Sequence, residues 1–130
     1  MYRQQQLVQE FHEKFDILIR EGPETPDRDT VALRTSLIGE EFTELIHAMN
    51  TEDITAIADG IADLLYVVYG TAVSCGIDIE PIFEEVHRSN MTKVGGHKRT
   101  DGKWIKPLTY EPPNLGPILI KQASKAWGLK

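Results

Sequence analysis

Ile54, Ile57, Ile61, Leu64, Val68 and Cys75 recur at intervals of three, four and seven residues, and the series ends at Gly76. That is the 3.6-residue period of a helix followed by the residue that most readily ends one. The segments around it read the same way. Val8, Phe11, Phe15 and Leu18 predict a first helix over about 4–20, broken by Gly22-Pro23-Glu24-Thr25-Pro26. Val31, Ile38, Phe42, Leu45, Ile46 and Met49 form the core stripe of a second, which Asp29 or Thr30 can cap. It ends at Asn50-Thr51, and Thr51 can cap the third. Asp78 can cap a fourth, with Pro81 near its first turn, Ile82, Phe83 and Val86 inward, and an end near 90–92.

From Gly95 the chain changes character. Gly95-Gly96, Asp101-Gly102, Pro107, Pro112-Pro113 and Pro117 disfavour helix until a last short one over Ile118–Trp127, and Asp101-Gly102 can close a small hairpin. The expectation is an all-α, four-helix bundle-type domain. Its helical part covers 1–94, and 95–130 form an irregular, basic and proline-rich arm of the same domain. Cys75 is the single cysteine, which excludes disulfide scaffolds and cysteine-rich zinc sites. No uninterrupted apolar run reaches the ~20 residues of a membrane span, and the N-terminus lacks an apolar signal core. The reading is a cytoplasmic protein without a membrane partner.

The net charge of -6 argues against non-specific nucleic-acid binding, and its distribution is more informative. Between Arg34 and Arg88 there is no lysine or arginine, while the same stretch holds eleven acids. The following segment reverses sign, with Arg88, Lys93, Lys98, Arg99, Lys103 and Lys106 against Asp101 alone. An acidic centre followed by a basic arm suits a metal cluster and a polyphosphate.

The acids are placed where a helix would not want them. Glu44 lies within a turn of both Glu40 and Glu41, and like charges so spaced destabilise a helix by roughly 0.2–0.5 kcal/mol per pair. Asp59 and Asp63 repeat the arrangement on the next helix, away from its Ile/Leu stripe and among Ala56, Ala62, Tyr66, Val67 and Gly70. Carboxylates gathered in a partly dry place without basic partners need a compensating charge, and an all-oxygen donor set favours magnesium or manganese. A short turn at Asn50–Glu52 brings the two clusters to similar depth if the helices pack antiparallel. Solvated acidic faces are common, so the missing cations and the apolar neighbours carry the inference. Glu44-Leu45-Ile46-His47 also matches the Glu-x-x-His of di-iron bundles, but those need two such motifs and no other histidine here supplies one.

Glu40-Glu41-x-x-Glu44 on one helix and Ala58-Asp59-Gly60-Ile61-Ala62-Asp63-Leu64-Leu65-Tyr66 on the next are followed by Glu85-Val86-His87-Arg88-Ser89-Asn90-Met91-Thr92-Lys93. With Asp101-Gly102-Lys103 and Tyr110-x-Pro112-Pro113-Asn114, this order resembles the all-α NTP pyrophosphohydrolase superfamily over roughly residues 8–115. The resemblance is to its MazG-like and phosphoribosyl-ATP pyrophosphohydrolase-like group, which is related to the dimeric dUTPases. One position departs: the second acidic motif is usually Glu-x-x-Asp, and Gly60 stands where its Glu would be.

The resemblance implies a magnesium-dependent enzyme, with manganese as a substitute, that cleaves a nucleoside triphosphate to monophosphate and pyrophosphate. It implies Glu40, Glu41, Glu44, Asp63 and Asp59 as metal ligands, with Glu40 or Glu41 as general base. Arg88, Asn90 and Lys93 would contact phosphate or sugar, and Lys103 and Lys106 would close over the leaving group. His12, Phe15 and Tyr66 would bracket the base. It also implies a homodimer or a dimer of dimers whose site is completed by another subunit. The alternative is a metal-dependent nucleotide-binding or regulatory module with little turnover; a di-iron redox bundle is a third and weaker reading.

Overall fold

The computed structural model describes residues 1–128. Five helices follow in order: α1 (Arg3–Lys14), α2 (Arg28–Thr51), α3 (Ile54–Cys75), α4 (Ile79–Met91) and α5 (Gly116–Trp127). Between α4 and α5 lies a two-stranded antiparallel ribbon, β1 (His97–Lys98) and β2 (Trp104–Ile105), with His97 paired to Ile105 and Lys98 to Trp104. Its turn runs through Asp101-Gly102, as the sequence predicts, and Gly102 has φ 90°. The protein is all-α apart from this ribbon.

Helix α3 is the hub, packed against both α2 and α1. Its partners on α2 fall in residue number as those on α3 rise: Leu45 faces Gly60, Glu41 approaches Asp63, and Arg34 reaches Val67 and Thr71. The two helices are therefore antiparallel. Caps differ by a residue or two from those expected. Asp27, not Asp29 or Thr30, caps α2 by accepting from the Thr30 amide at 3.2 Å. Asp53, not Thr51, caps α3 by accepting from the Thr55 and Ala56 amides. The intervening Glu52 sits at φ 58°, which lets α2 stop and the chain reverse in two residues. Asp78 caps α4 as expected.

Helix α1 is shorter than its apolar spacing predicts. It ends at Lys14 because Asp16 turns left-handed (φ 56°) and the Ile17 amide bonds back to the His12 carbonyl at 2.9 Å. Residues 17–24 then run along the C-terminal end of α3, whose last carbonyls have no partner within their own helix. The Arg20 amide bonds Val73 O, the Glu24 amide bonds Cys75 O, and Ser74 Oγ donates to Leu18 O. Continuing α1 would have left Cys75 O without the Glu24 amide and Ser74 Oγ without the Leu18 carbonyl. Gly76 ends α3 at φ 69°, packed so close to the Gly22 carbonyl that a Cβ there would collide with it.

The apolar stripes are also placed differently from the expectation. The face of α3 turned into the protein carries small residues, with Gly60, Gly70, Ala72, Val73 and Ser74 buried. Ile54, Ile61, Leu65 and Val68 of the same helix are exposed, as are Phe42, Ile46 and Met49 of α2 and Phe83 of α4. Close approach explains the inversion: a Cβ on Gly60 would lie 3.2 Å from Leu45 Cα, so the helices meet where side chains are absent. By length and composition alone α3 could cross a membrane, since averaging over 18 residues dilutes Asp59 and Asp63. What α3 contacts here is α1 and α2.

Candidate carboxylate metal site

Glu41 and Glu44 stand on α2 three residues apart, so both project from neighbouring faces toward α3. Asp63 meets them from α3 across the small-residue seam. One oxygen from each lies within 4.8 Å of the other two. Glu41 and Asp63 are half-buried and Glu44 is exposed, so the group opens to solvent on one side. Oε2 of Glu41 is enclosed and has no hydrogen-bond partner. Burial first, then the charges of Glu44, Asp63 and Glu40, pushes the Glu41 carboxyl above its usual range. Among the described residues none of the three acids is in an ion pair.

This arrangement fits a hard divalent cation on its own terms. An enclosed carboxylate oxygen without a donor is costly, and three converging oxygens with no nitrogen or sulfur among them are the donor set of magnesium or manganese. The structure does not bring Glu40 or Asp59 into the group; both are exposed, Glu40 beside Glu41 on α2 and Asp59 one turn before Asp63. The glycine that breaks the usual acidic motif has a structural reason. Gly60 faces Leu45 at a distance that leaves no room for a side chain unless α2 shifts.

The residues expected around the substrate are dispersed. His12 is corrected outright: it is 2% exposed, and its Nδ1 donates to the Leu18 carbonyl at 3.1 Å. Burial, with the nearby Arg34 charge, holds its pKa below the usual histidine value. A neutral ring locked in the core cannot bracket a base. Tyr66 is 41% exposed and edge-on to Phe11 at 5.5 Å, and Phe11 in turn packs against the exposed Phe15 at 4.6 Å. Tyr66 lies one helical turn beyond Asp63, so this aromatic surface borders the carboxylates.

Arg88 is already engaged. Its Nε and Nη2 donate to the two oxygens of Glu85 at 2.6 and 3.0 Å, and its Nη1 reaches Glu111 at 3.1 Å. The Asn114 amide also donates to Glu85, and Ser89 Oγ donates to the Glu111 carbonyl, so this cluster fastens the arm to α4. Lys93 and Lys106 place their ammonium groups 5.7 and 4.8 Å from the Tyr110 ring, and Lys103 and Asn90 are exposed. Sequence reasoning missed Arg34, the last cation before the acidic stretch. It is 5% exposed, seven residues before Glu41 on the same face of α2. A single arginine inside an apolar helix pattern was the available signal.

An all-helical chain with a carboxylate cluster across an antiparallel helix pair is the architecture of the all-α NTP pyrophosphohydrolases. The sequence matches the family model of phosphoribosyl-ATP pyrophosphohydrolase over residues 8–90, and the chain belongs to that family. It is also similar to an uncharacterized protein of Acanthamoeba polyphaga mimivirus, 45% identical over 51 residues. That match covers 39% of this chain and 20% of the viral protein, so the chain corresponds to about a fifth of that relative's length.

Proposed function

We propose that this protein is a magnesium-dependent pyrophosphohydrolase that converts a nucleoside triphosphate to the monophosphate and pyrophosphate, in the removal of unwanted nucleotides from the pool. The observation that carries the reading is the enclosed, unpartnered Glu41 Oε2 facing Glu44 and Asp63, in a chain of the phosphoribosyl-ATP pyrophosphohydrolase family. Glu41, Glu44 and Asp63 hold the cation, with Asp59 supporting from the next turn. The bound cation supplies neutralisation of the triphosphate charge and makes water more acidic. Glu40, outside the group and open to solvent, is free to take the proton of the attacking water. Water oxygen bonds to the α-phosphorus, the bond to the α,β-bridging oxygen breaks, and pyrophosphate departs with that electron pair. Lys93, Asn90, Lys103 and Lys106 receive the phosphates, and Tyr66 with its aromatic neighbours borders the base.

Incubation with magnesium and a panel comprising dUTP, other deoxynucleotides and phosphoribosyl-ATP tests this. Monophosphate and pyrophosphate without orthophosphate are expected, with all activity lost in EDTA. Diphosphate plus orthophosphate as primary products, or full activity in EDTA, would exclude the reading. One observation favours a second reading, a nucleotide-binding module with little turnover: Gly60 removes one acid from the motif and Asp59 stands outside the cluster. Magnesium-dependent nucleotide binding without pyrophosphate release would establish it.

A further inference from the structure

The carboxylate site does not use the buried guanidinium of Arg34. Its Nη2 donates to the Val67 carbonyl at 2.8 Å and its Nε to Thr71 Oγ1 at 3.3 Å, both neutral acceptors. Among the described residues no carboxylate pairs with it. A guanidinium has five donors, so these two bonds leave most of its hydrogen-bonding capacity unused. Burial, opposed only by a smaller contribution from the neighbouring Cys75 thiol, pulls its pKa below the usual arginine range. None of its nitrogens is both enclosed and unpartnered, so the remaining donors face accessible space in which an anion can meet them.

Arg34 lines a cavity of about 610 Å³ between α2, α3, α5 and the loop before α2. The other walls are mostly apolar, among them Val31, Ile38, Ile77, Leu119 and Ile120. Two lining groups could carry negative charge, and neither serves Arg34. Glu24 is paired with Arg20 at 3.1 Å and is more than half exposed, and burial pushes the Cys75 thiol up, keeping it protonated. The cavity has the size and make-up of a small-molecule site, apolar with one fixed polar anchor.

We infer that this cavity binds a small organic carboxylate, its head group on Arg34 and its apolar body against α2 and α5. One buried positive charge matches one negative charge, and the apolar walls match a hydrocarbon or aromatic body rather than a polyphosphate. A carboxylate also accepts two parallel bonds from a guanidinium, the geometry that makes such pairs strong. This site is separate from the carboxylate metal site, whose ligands are acids and whose occupant is a cation.

The probes are 4-phenylbutyrate and the neutral alcohol with the same body, 4-phenylbutan-1-ol, measured by isothermal titration on the full chain without metal. The acid is expected to bind saturably and at least tenfold more tightly than the alcohol. Arg34→Met should erase that preference while leaving alcohol binding intact. Ala123→Trp, which fills the cavity from α5, should abolish binding of both. Should Arg34→Met fail to fold, Ala123→Trp and the NMR shift of the Arg34 Nε–H on adding the acid decide the matter. Equal binding of acid and alcohol, acid binding that survives either substitution, or an Arg34 Nε–H that does not respond would each overturn the inference.

Discussion

Single side chains bear opposite kinds of strain on the two sides of the α2–α3 seam. At Glu41 the strain is electrostatic. Its carboxyl titrates above the ordinary value of 4.5, so the folded protein holds the proton more tightly than the unfolded chain does. That contribution to stability is present below pH 4.5 and lost as pH rises through the folded value, so near neutrality the ionised group opposes folding. Glu41→Gln is therefore expected to keep or raise the metal-free melting temperature while removing nearly all turnover. Magnesium should stabilise the native protein by mass action and the variant much less. A variant that melts lower without metal and retains activity would make Glu41 a structural acid. At Gly70 the strain is steric. A Cβ there would collide with Arg34 Nη2 and lie 3.0 Å from His12 Nε2. Gly70→Ala should cost about 1–3 kcal/mol in denaturant unfolding, as overpacking of a tight interior does. A loss within experimental error would mean that the seam is looser in solution.

At the scale of elements, the arm after α4 is fastened by polar clamps more than by apolar burial. Ribbon and arm are largely exposed, while Glu85 gathers Arg88 and the Asn114 amide. The Arg88 guanidinium, followed by the Asn114 amide, lowers the Glu85 pKa from 4.5 to about 2. A depressed carboxyl contributes stability that is complete above its unfolded value, here 4.5, and that disappears as pH falls through about 2. The Asn114 amide resonance should accordingly titrate near pH 2 in the native protein and at a clearly higher pH in Arg88→Met. A native midpoint already at 4.5 would show that the clamp is open. Arg88 thus holds in place the segment on which Lys93 and Lys106 meet Tyr110.

For the whole molecule, the decisive feature is the apolar surface left open. Phe42, Ile46 and Met49 on α2, and Ile61, Leu65 and Val68 on the adjacent α3, are each between 44% and 56% exposed. Exposed apolar side chains on neighbouring helices are what a protein-protein contact would use. The reading proposed here is a second copy of the chain, in a dimer or a dimer of dimers. Sedimentation equilibrium should show an oligomer at micromolar concentration. Phe42→Glu with Ile61→Glu should give a folded monomer, because exposed positions tolerate such changes at little cost. A monomeric native protein would require a different occupant for this face.

The helices and their order were legible in the sequence because periodicity and capping are local. Gly76 and Asp78 mark their boundaries through backbone conformation and a side chain two residues away. The carboxylate cluster was legible for a related reason: Glu41, Glu44 and Asp63 lie along helices without a nearby cation, and that absence can be read residue by residue. The early end of α1 was not legible, since the competing hydrogen bonds come from the far end of α3. Nor was the inward face of α3. Its Ile/Leu stripe and its glycine seam are both helical in period, and only the close contact of Gly60 with Leu45 and of Gly70 with Arg34 decides which one is buried. His12 and Arg34 changed standing for the same reason: burial is a property of what packs against a residue, and both meet Gly70, which lies far from either along the chain.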